Sequence, residues 1–307
     1  MVIGKSSVVS ATRRRLDLAH GLVWLFRVLW ALLPVTAGPL FETCVAHASR
    51  PMQVVTALGL WTAWTIVLAA SLIPTMITLT LVRMIAPGAV LAAVVASTRD
   101  VSGAAAVAGL TTTAFAALAA FTAEVGEVFV QAAAYGDERR FPLRVPGPIA
   151  VTVLPMGWLV AASSAITGPL LLVAGRWIVG AIVTVLAVVW GVLFARRSHR
   201  LSRRFAVFVP AGFVLHDHVV LADTAMFAAA TVRGLHLAPA GSEAADATGA
   251  ALGVAVELQL TEPGTIVLAG TIDARQGKAL HVHSVLFSPS RPGRLLAAAA
   301  ARRWRLP

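Results

Sequence analysis

Two carboxylates, Glu124 and Glu127, stand three residues apart with Gln131 following, a spacing that puts all three on one face of a helix. Paired carboxylates beside an amide suit a proton relay, a cation site, or general acid and base work inside a membrane. Spacing alone does not choose among these. Arg27, within an apolar run, would lie at about the same depth, and an ion pair with Glu124 or Glu127 across a helical bundle would remove the cost of isolated charges near lipid. The plainer expectation is that the Arg27 guanidinium reaches back to the membrane surface along its own stem.

Arg139, Arg140 and Arg144 crowd a segment that also holds Phe141, Pro142, Pro146 and Pro148. Guanidinium groups just under a membrane leaflet hold the phosphates of anionic lipid. The alternative is a topology determinant that also grips the C-terminal region, and Asp137 and Glu138 beside the arginines would form local ion pairs and weaken lipid binding. His216 with His218, and His281 with His283, alternate along extended chain, so each pair points to one side. Four imidazoles brought together would suit zinc, although surface or barrel-rim histidines are the commoner outcome, and no metal or other cofactor is expected. A Ser-His-Asp order, a Walker loop, a His-Glu-x-x-His helix and a Gly-x-Ser-x-Gly elbow are all missing, so no enzyme class is indicated.

The elements that would carry these residues follow from composition. The chain of 307 residues is 58% apolar and 13% charged, an excess that lipid has to cover. Its 25 basic residues against 14 acidic ones give a net charge of +11. They cluster at Arg13, Arg14 and Arg15, at 139–144 and at 196–204, flanking apolar runs rather than spread over a groove with interleaved aromatics. That placement argues for membrane topology and against nucleic-acid binding. A single cysteine, Cys44, excludes an intramolecular disulfide and a multi-cysteine metal site. The run after the first arginines is too long for a signal-peptide core and reads as a retained helix.

A bilayer core about 30 Å thick needs about 20 apolar residues per helix. Six windows meet this within a helical domain spanning 1–200: 22–40, 54–82, 85–97, 103–122, 149–173 and 177–195. The chain is expected to turn near Arg83 at the membrane surface, leaving a short third span beside Pro74 and Pro87. Broken segments of this kind are where a transport reading begins, a kinked structural helix being the other explanation. Placing the basic clusters inside leaves only Arg50, Arg99 and Arg176 outside, which puts both termini in the cytoplasm.

From 201 to 307 the pattern changes to alternating runs between Pro/Gly breaks, the mark of antiparallel strands, near 205–209, 212–216, 218–222, 230–237, 253–260, 265–272 and 280–287. The stretch 238–253, rich in Ala, Gly, Asp and Ser, reads as a long mobile loop without chemistry. A last helix starts with Ser290 as N-cap, takes Pro292 into its first turn and ends in Arg302, Arg303 and Arg305.

The stretch from Arg204-Phe205-Ala206-Val207-Phe208-Val209 through Pro210-Ala211-Gly212-Phe213-Val214-Leu215 resembles the opening hairpin of bacterial PH-like domains. Strands closed by one C-terminal helix are the layout of those barrels. With the Tyr135-Gly136-Asp137-Glu138 segment ahead of it, the chain resembles uncharacterised actinobacterial multi-span membrane proteins that carry such a module. The resemblance implies a six-helix membrane bundle followed by a small antiparallel PH-like barrel, and brings no activity with it. The leading expectation is a non-enzymatic protein of the cytoplasmic membrane whose module docks a protein partner or anionic lipid head groups of the inner leaflet. A small transporter or channel is the second, and an intramembrane enzyme acting on lipid-linked substrates through Glu124 and Glu127 the third.

Overall fold

The computed structural model describes residues 19–99, 101–270 and 277–304, so the arginines at 13–15 and Arg305 lie outside the described residues. The chain forms two compact units, one of Met1–Phe129 with Gly157–Arg196 and one of Val130–Met156 with Arg197–Pro307. The first is helical. The second is built on β-structure, and it includes residues from before the last two long helices.

The stretch expected as one first helix over 22–40 is three: α1 (Ala19–Ala31), α2 (Leu33–Thr36) and α3 (Gly38–Val45). Pro34 and Pro39 each sit in the first turn of a new helix, where a missing N–H costs nothing. Pro34 also strips the Trp30 carbonyl of its helical donor four residues on. The Trp64 indole donates to that carbonyl at 2.9 Å, and the Trp30 indole donates to the Trp64 carbonyl at 3.0 Å. This reciprocal pair ties α1 to α4 (Arg50–Leu72).

The following long helices are α5 (Met76–Ser97), α6 (Gly103–Phe121), α8 (Leu154–Val173) and α9 (Trp177–Ser202), with a short α7 (Ala123–Gln131) after α6. A wide turn over Ile149–Val153 leads into α8. Among the described residues five helices are long and apolar enough to cross a bilayer: α4, α5, α6, Ile149–Val173 and α9. Together they make this a multi-pass membrane protein.

The turn expected near Arg83 lies instead at Ile73–Thr75. Pro74 stops α4, and Thr75 caps α5 by accepting from Thr78 N at 3.1 Å while its own N–H donates to Thr78 Oγ1 at 2.9 Å. Arg83 and Pro87 are both interior to an unbroken α5 of 22 residues, so the expected short span at 85–97 is corrected. In the α8–α9 pair, glycines set the approach. A Cβ on Gly168 would meet Thr184 N at 2.9 Å, and one on Gly180 would meet Leu172 N at 2.8 Å.

Among the described residues the β unit holds two four-stranded sheets. In the first, β1 (Arg139–Pro142), β2 (Phe205–Val209), β3 (Gly212–His216) and β4 (Ala225–Ala228) pair in order, all antiparallel. In the second, β5 (Val232–Leu237), β7 (Val256–Leu268), β8 (Lys278–Phe287) and β6 (Ala245–Asp246) lie in that order, β6 parallel to β8. The segment 139–144, expected as a loop of the helical domain, therefore supplies an edge strand. The strands expected at 253–260 and 265–272 are one bent strand, because the Glu262-Pro263 break is accommodated as a bulge between Gln259 and Gly264. The strand expected at 218–222 is a turn, held by Asp217 as described below.

Phe208, Phe213, Leu215, Leu235, Leu258, Val285 and Phe287 fill the core between the sheets. The last helix, α10 (Pro292–Ala301), adds Leu295 and Ala299 to it, with Arg291 rather than Ser290 in the cap position. Antiparallel bridges Leu143–Pro289 and Leu221–Leu268 stitch the two sheets together.

Candidate functional site

Arg204 precedes β2 at the end of the short link after α9, and its side chain is buried with that of Asp217. Arg204 Nε and Nη2 donate to the two Asp217 oxygens at 2.7 and 2.6 Å, a two-point bond matched to the shapes of both groups. Asp217 Oδ1 also accepts from Val219 N and Val220 N, which bends 217–220 into a turn instead of a strand. Arg204 Nη1 donates to the Arg144 carbonyl at 2.6 Å, and Leu143 N donates to the Arg204 carbonyl at 3.0 Å. This network fixes β1 against β2.

Gln131 shapes the turn ahead of β1. Its Nε2 donates to the Glu138 carbonyl at 2.9 Å and its Oε1 accepts from Arg140 N at 2.9 Å, so the side chain pairs with the turn as a strand would. Gly136, at φ +58°, supplies the left-handed residue that the turn needs. The result is a cleft of about 590 Å³ lined by Gln131, Gly136, Asp137, Glu138, Arg139, Pro210 and Arg302. Arg302 reaches it from the end of α10, donating to the Asp137 carbonyl at 2.8 Å and lying 5.1 Å over the Phe208 ring.

The cleft gathers Arg139 and Arg302 with Asp137 and Glu138. Burial lowers the Arg302 pKa and Arg139 lowers it further, against an opposing pull from Asp137. An anion between the two guanidinium groups would relieve both penalties. Glu138 is already occupied: its Oε2 accepts from Arg140 at 2.7 Å, and that contact is the main cause of its depressed pKa. Asp137 is the acidic group that an incoming anion would still meet.

The expected arginine trio therefore separates. Arg139 faces the cleft, Arg140 is held by Glu138 and lies 5.2 Å over the Phe205 ring, and Arg144 donates to the Leu252 carbonyl at 2.9 Å. The other expected sites fare differently. Where an ion pair with Glu124 or Glu127 was expected, the Arg27 guanidinium bonds the main chain. Arg27 Nε and Nη2 donate to the Ser71 carbonyl at 3.1 and 2.6 Å, next to the end of α4, and its guanidinium lies 4.9 Å over Trp24. The carbonyls in the last turn of a helix lack helical donors, which is why an arginine can be accommodated there without a carboxylate. Glu124 and Glu127 do share α7, with Glu127 buried, while Gln131 of the same helix serves the β1 turn.

Arg83, read from sequence as a surface marker, caps a second helix end. Its Nε donates to the Ala120 carbonyl at 3.2 Å and Nη2 to Thr122 at 3.4 Å, where the chain breaks between α6 and α7. Gly126 leaves room for the guanidinium, since a Cβ there would meet Nη2 at 2.8 Å.

His216 and His218 do come together, with ring centroids 4.1 Å apart, and His216 also stacks on Phe205 and bonds Thr224 Oγ1. His281 and His283 are on β8 of the other sheet, where His281 bonds Thr265 Oγ1. Among the described residues no group of three or more His, Cys, Asp or Glu is placed to hold a metal, so the four imidazoles are not gathered. Arg302, Arg204 and Asp217 were missed as site residues. The one available signal was an aspartate between two histidines after an apolar strand, a position suited to an Asx turn. No family model matches the chain, and neither curated proteins nor solved structures yield a match.

Proposed function

We propose that this is a non-enzymatic protein of the cytoplasmic membrane whose β unit is a PH-like module that docks the phosphate of an anionic inner-leaflet lipid in the Arg139/Arg302 cleft. The observation that carries the reading is the meeting of those two guanidinium groups, from opposite ends of the β unit's sequence, in one cleft where Arg140 holds the Glu138 carboxylate and Asp137 is the acidic group left to oppose an anion. Two sheets closed by a C-terminal helix support the PH-like assignment; the parallel β6 and the β1 strand drawn from before α8 are additions to that layout.

The sidedness has its own support. Because β1 pairs with β2, the chain before α8 and the chain after α9 are on one side of the bilayer. Arg139, Arg140, Arg144, Arg196, Arg197, Arg200 and Arg203 all fall in those segments, which the positive-inside rule assigns to the cytoplasm. With the segment from α1 to α3 taken as a broken first span, the helices number six and the N-terminus shares that side.

The test is mass spectrometry of lipid retained by the detergent-solubilised full chain, compared with an Arg139→Gln/Arg302→Gln variant. The expected result is an anionic phospholipid that co-purifies with the parent and is lost from the variant. Equal retention by both would remove the cleft from the reading, and loss of a bound protein in place of lipid would reassign it to a protein partner.

A further inference from the structure

The loop between β6 and β7 closes against the segment just ahead of the apolar stretch Ile149–Val173. Gly147 N donates to the Ala250 carbonyl at 3.2 Å, and Arg144 Nη1 donates to the Leu252 carbonyl at 2.9 Å. A Cβ built on Gly249 would meet Pro146 at 3.2 Å, and one on Gly147 would come within 3.9 Å of the Leu252 side chain. Two residues beyond Gly147 begins the membrane-crossing stretch Ile149–Val173.

That proximity sets the depth of the loop. Each residue of extended chain covers at most about 3.6 Å, so Gly147 lies within about 7 Å of the first residue of the span. The head-group layer on each face of the hydrocarbon core is itself about 5–7 Å thick. A segment bonded to Gly147 is held at that layer.

What the loop presents there is apolar. Leu252 is 71% exposed and Val254 51% exposed, and no charged residue occurs between Asp246 and Glu257. Its shape is imposed by the backbone: Gly249, Ala250 and Gly253 have φ of +63°, +56° and +106°. Ala250 is a non-glycine residue in the left-handed region, a strain tolerated when surrounding contacts fix the chain. The Arg144 guanidinium fills the space where a side chain on Gly253 would stand, so that glycine is required on both counts. The stretch 238–253, expected from sequence to be a mobile loop, is thus partly a strand, β6, and partly a latched turn.

We propose that residues 249–254 form a membrane-inserted wedge, with Leu252 and Val254 seated among lipid at the boundary of head groups and acyl chains and Arg144 pinning the loop from within the protein. The occupant of this apolar surface is the bilayer, because the loop is bonded to residues at the mouth of a membrane span. The wedge gives the β unit a membrane contact of its own, independent of whether the Arg139/Arg302 cleft takes a lipid.

The test uses the full chain in lipid nanodiscs, with Cys44→Ala and a single environment-sensitive dye on Leu252→Cys or, separately, on Val254→Cys. The expected result at both positions is blue-shifted emission, quenched by a nitroxide placed high on the lipid acyl chain and only weakly by aqueous iodide. Adding Arg144→Gln to the Leu252→Cys protein should free the loop and raise iodide quenching at least about twofold. Iodide quenching at 252 and 254 as strong as for free dye overturns the wedge. Shielding from both quenchers also overturns it, because the loop would then be buried in a protein interface.

Discussion

In the helical unit Arg27 and Arg83 send their N–H groups to main-chain carbonyls, of Ser71 in one case and of Ala120 and Thr122 in the other. In the β unit Arg204 gives one N–H to the Arg144 carbonyl but meets a carboxylate, Asp217, in a two-point bond. The indoles of Trp30, Trp64, Trp158 and Trp190 follow the helical pattern, donating to carbonyls of Trp64, Trp30, Met84 and Gly157. The contrast has a physical origin. Every helix end leaves carbonyls without helical donors and carries the negative end of the dipole, so an acceptor is present before any arginine arrives. A sheet consumes its carbonyls in the ladder, and a guanidinium buried there needs a carboxylate of its own.

The largest expected effect is at Asp217. Asp217→Ala leaves Arg204 buried without its counter-charge and frees the Val219 and Val220 amides, a loss of about 3–5 kcal/mol. Limited proteolysis of the solubilised chain under rising temperature would show residues beyond Arg197 becoming accessible first, with the helical unit still intact. Arg204→Met/Asp217→Leu should recover most of the loss, because apolar groups of similar volume replace a buried ion pair at little cost. A single Asp217→Ala variant as stable as the parent would mean that the carboxylate does not hold the turn.

In the helical unit the corresponding change costs less. Arg83→Met deprives two carbonyls of their donor, a loss of about 2 kcal/mol. Because the acceptors are dipoles, the effect should not change with salt. A denaturation midpoint measured in mixed detergent micelles, at low and high ionic strength, tests both points. A strongly salt-dependent loss would show that Arg83 acts through an ionised partner instead.

The same contrast decides what could be read from sequence. Apolar length was enough to locate the spans at 103–122 and 149–173, because the requirement of a bilayer acts on each segment alone. It failed at Arg83, since a cation in an apolar run reads as a surface marker unless it is known that the end of α6 lies beside it. Pro34 was visible, but its orphaned Trp30 carbonyl and the Trp64 indole that fills it belong to different helices. In the β unit alternation revealed β2 and β3, whereas β1 is four residues long and pairs with a strand that follows two membrane helices, so no local pattern marks it. The site divides likewise. Arg139 was legible within a basic cluster; Arg302 joins it only because α10 packs on the core, placing its last residues beside the β1 turn.

A smaller effect is expected from Trp64→Phe, which removes one of the two reciprocal indole bonds: the Trp30 carbonyl loses its donor while the Trp64 carbonyl keeps the Trp30 indole. A loss of about 1 kcal/mol in the same micelle titration fits a single side-chain bond in a membrane setting. A loss as large as that of Arg83→Met would mean that ring packing, and not the bond, is what matters.

The smallest effect sharpens the contrast through pH. Burial lowers the His216 pKa first, followed by the positive charge of His218 and Arg203; Asp217 opposes them and Arg140 adds a last lowering contribution. The folded value is therefore below the ordinary 6.5, and just under that pH the unfolded chain binds the proton more readily than the folded one. Stability contributed by neutral His216 is present above 6.5 and is lost as pH falls below it. The β unit should melt earlier at about pH 5.5 than at about pH 7.5, and His216→Gln should flatten that slope. A slope unchanged by His216→Gln would assign the dependence to other groups. The ties made by Arg27 and Arg83 end on carbonyls, which have no proton to gain in this window. Their contribution should stay level while that of His216 declines, which would separate a side chain that titrates from ties that end on the backbone.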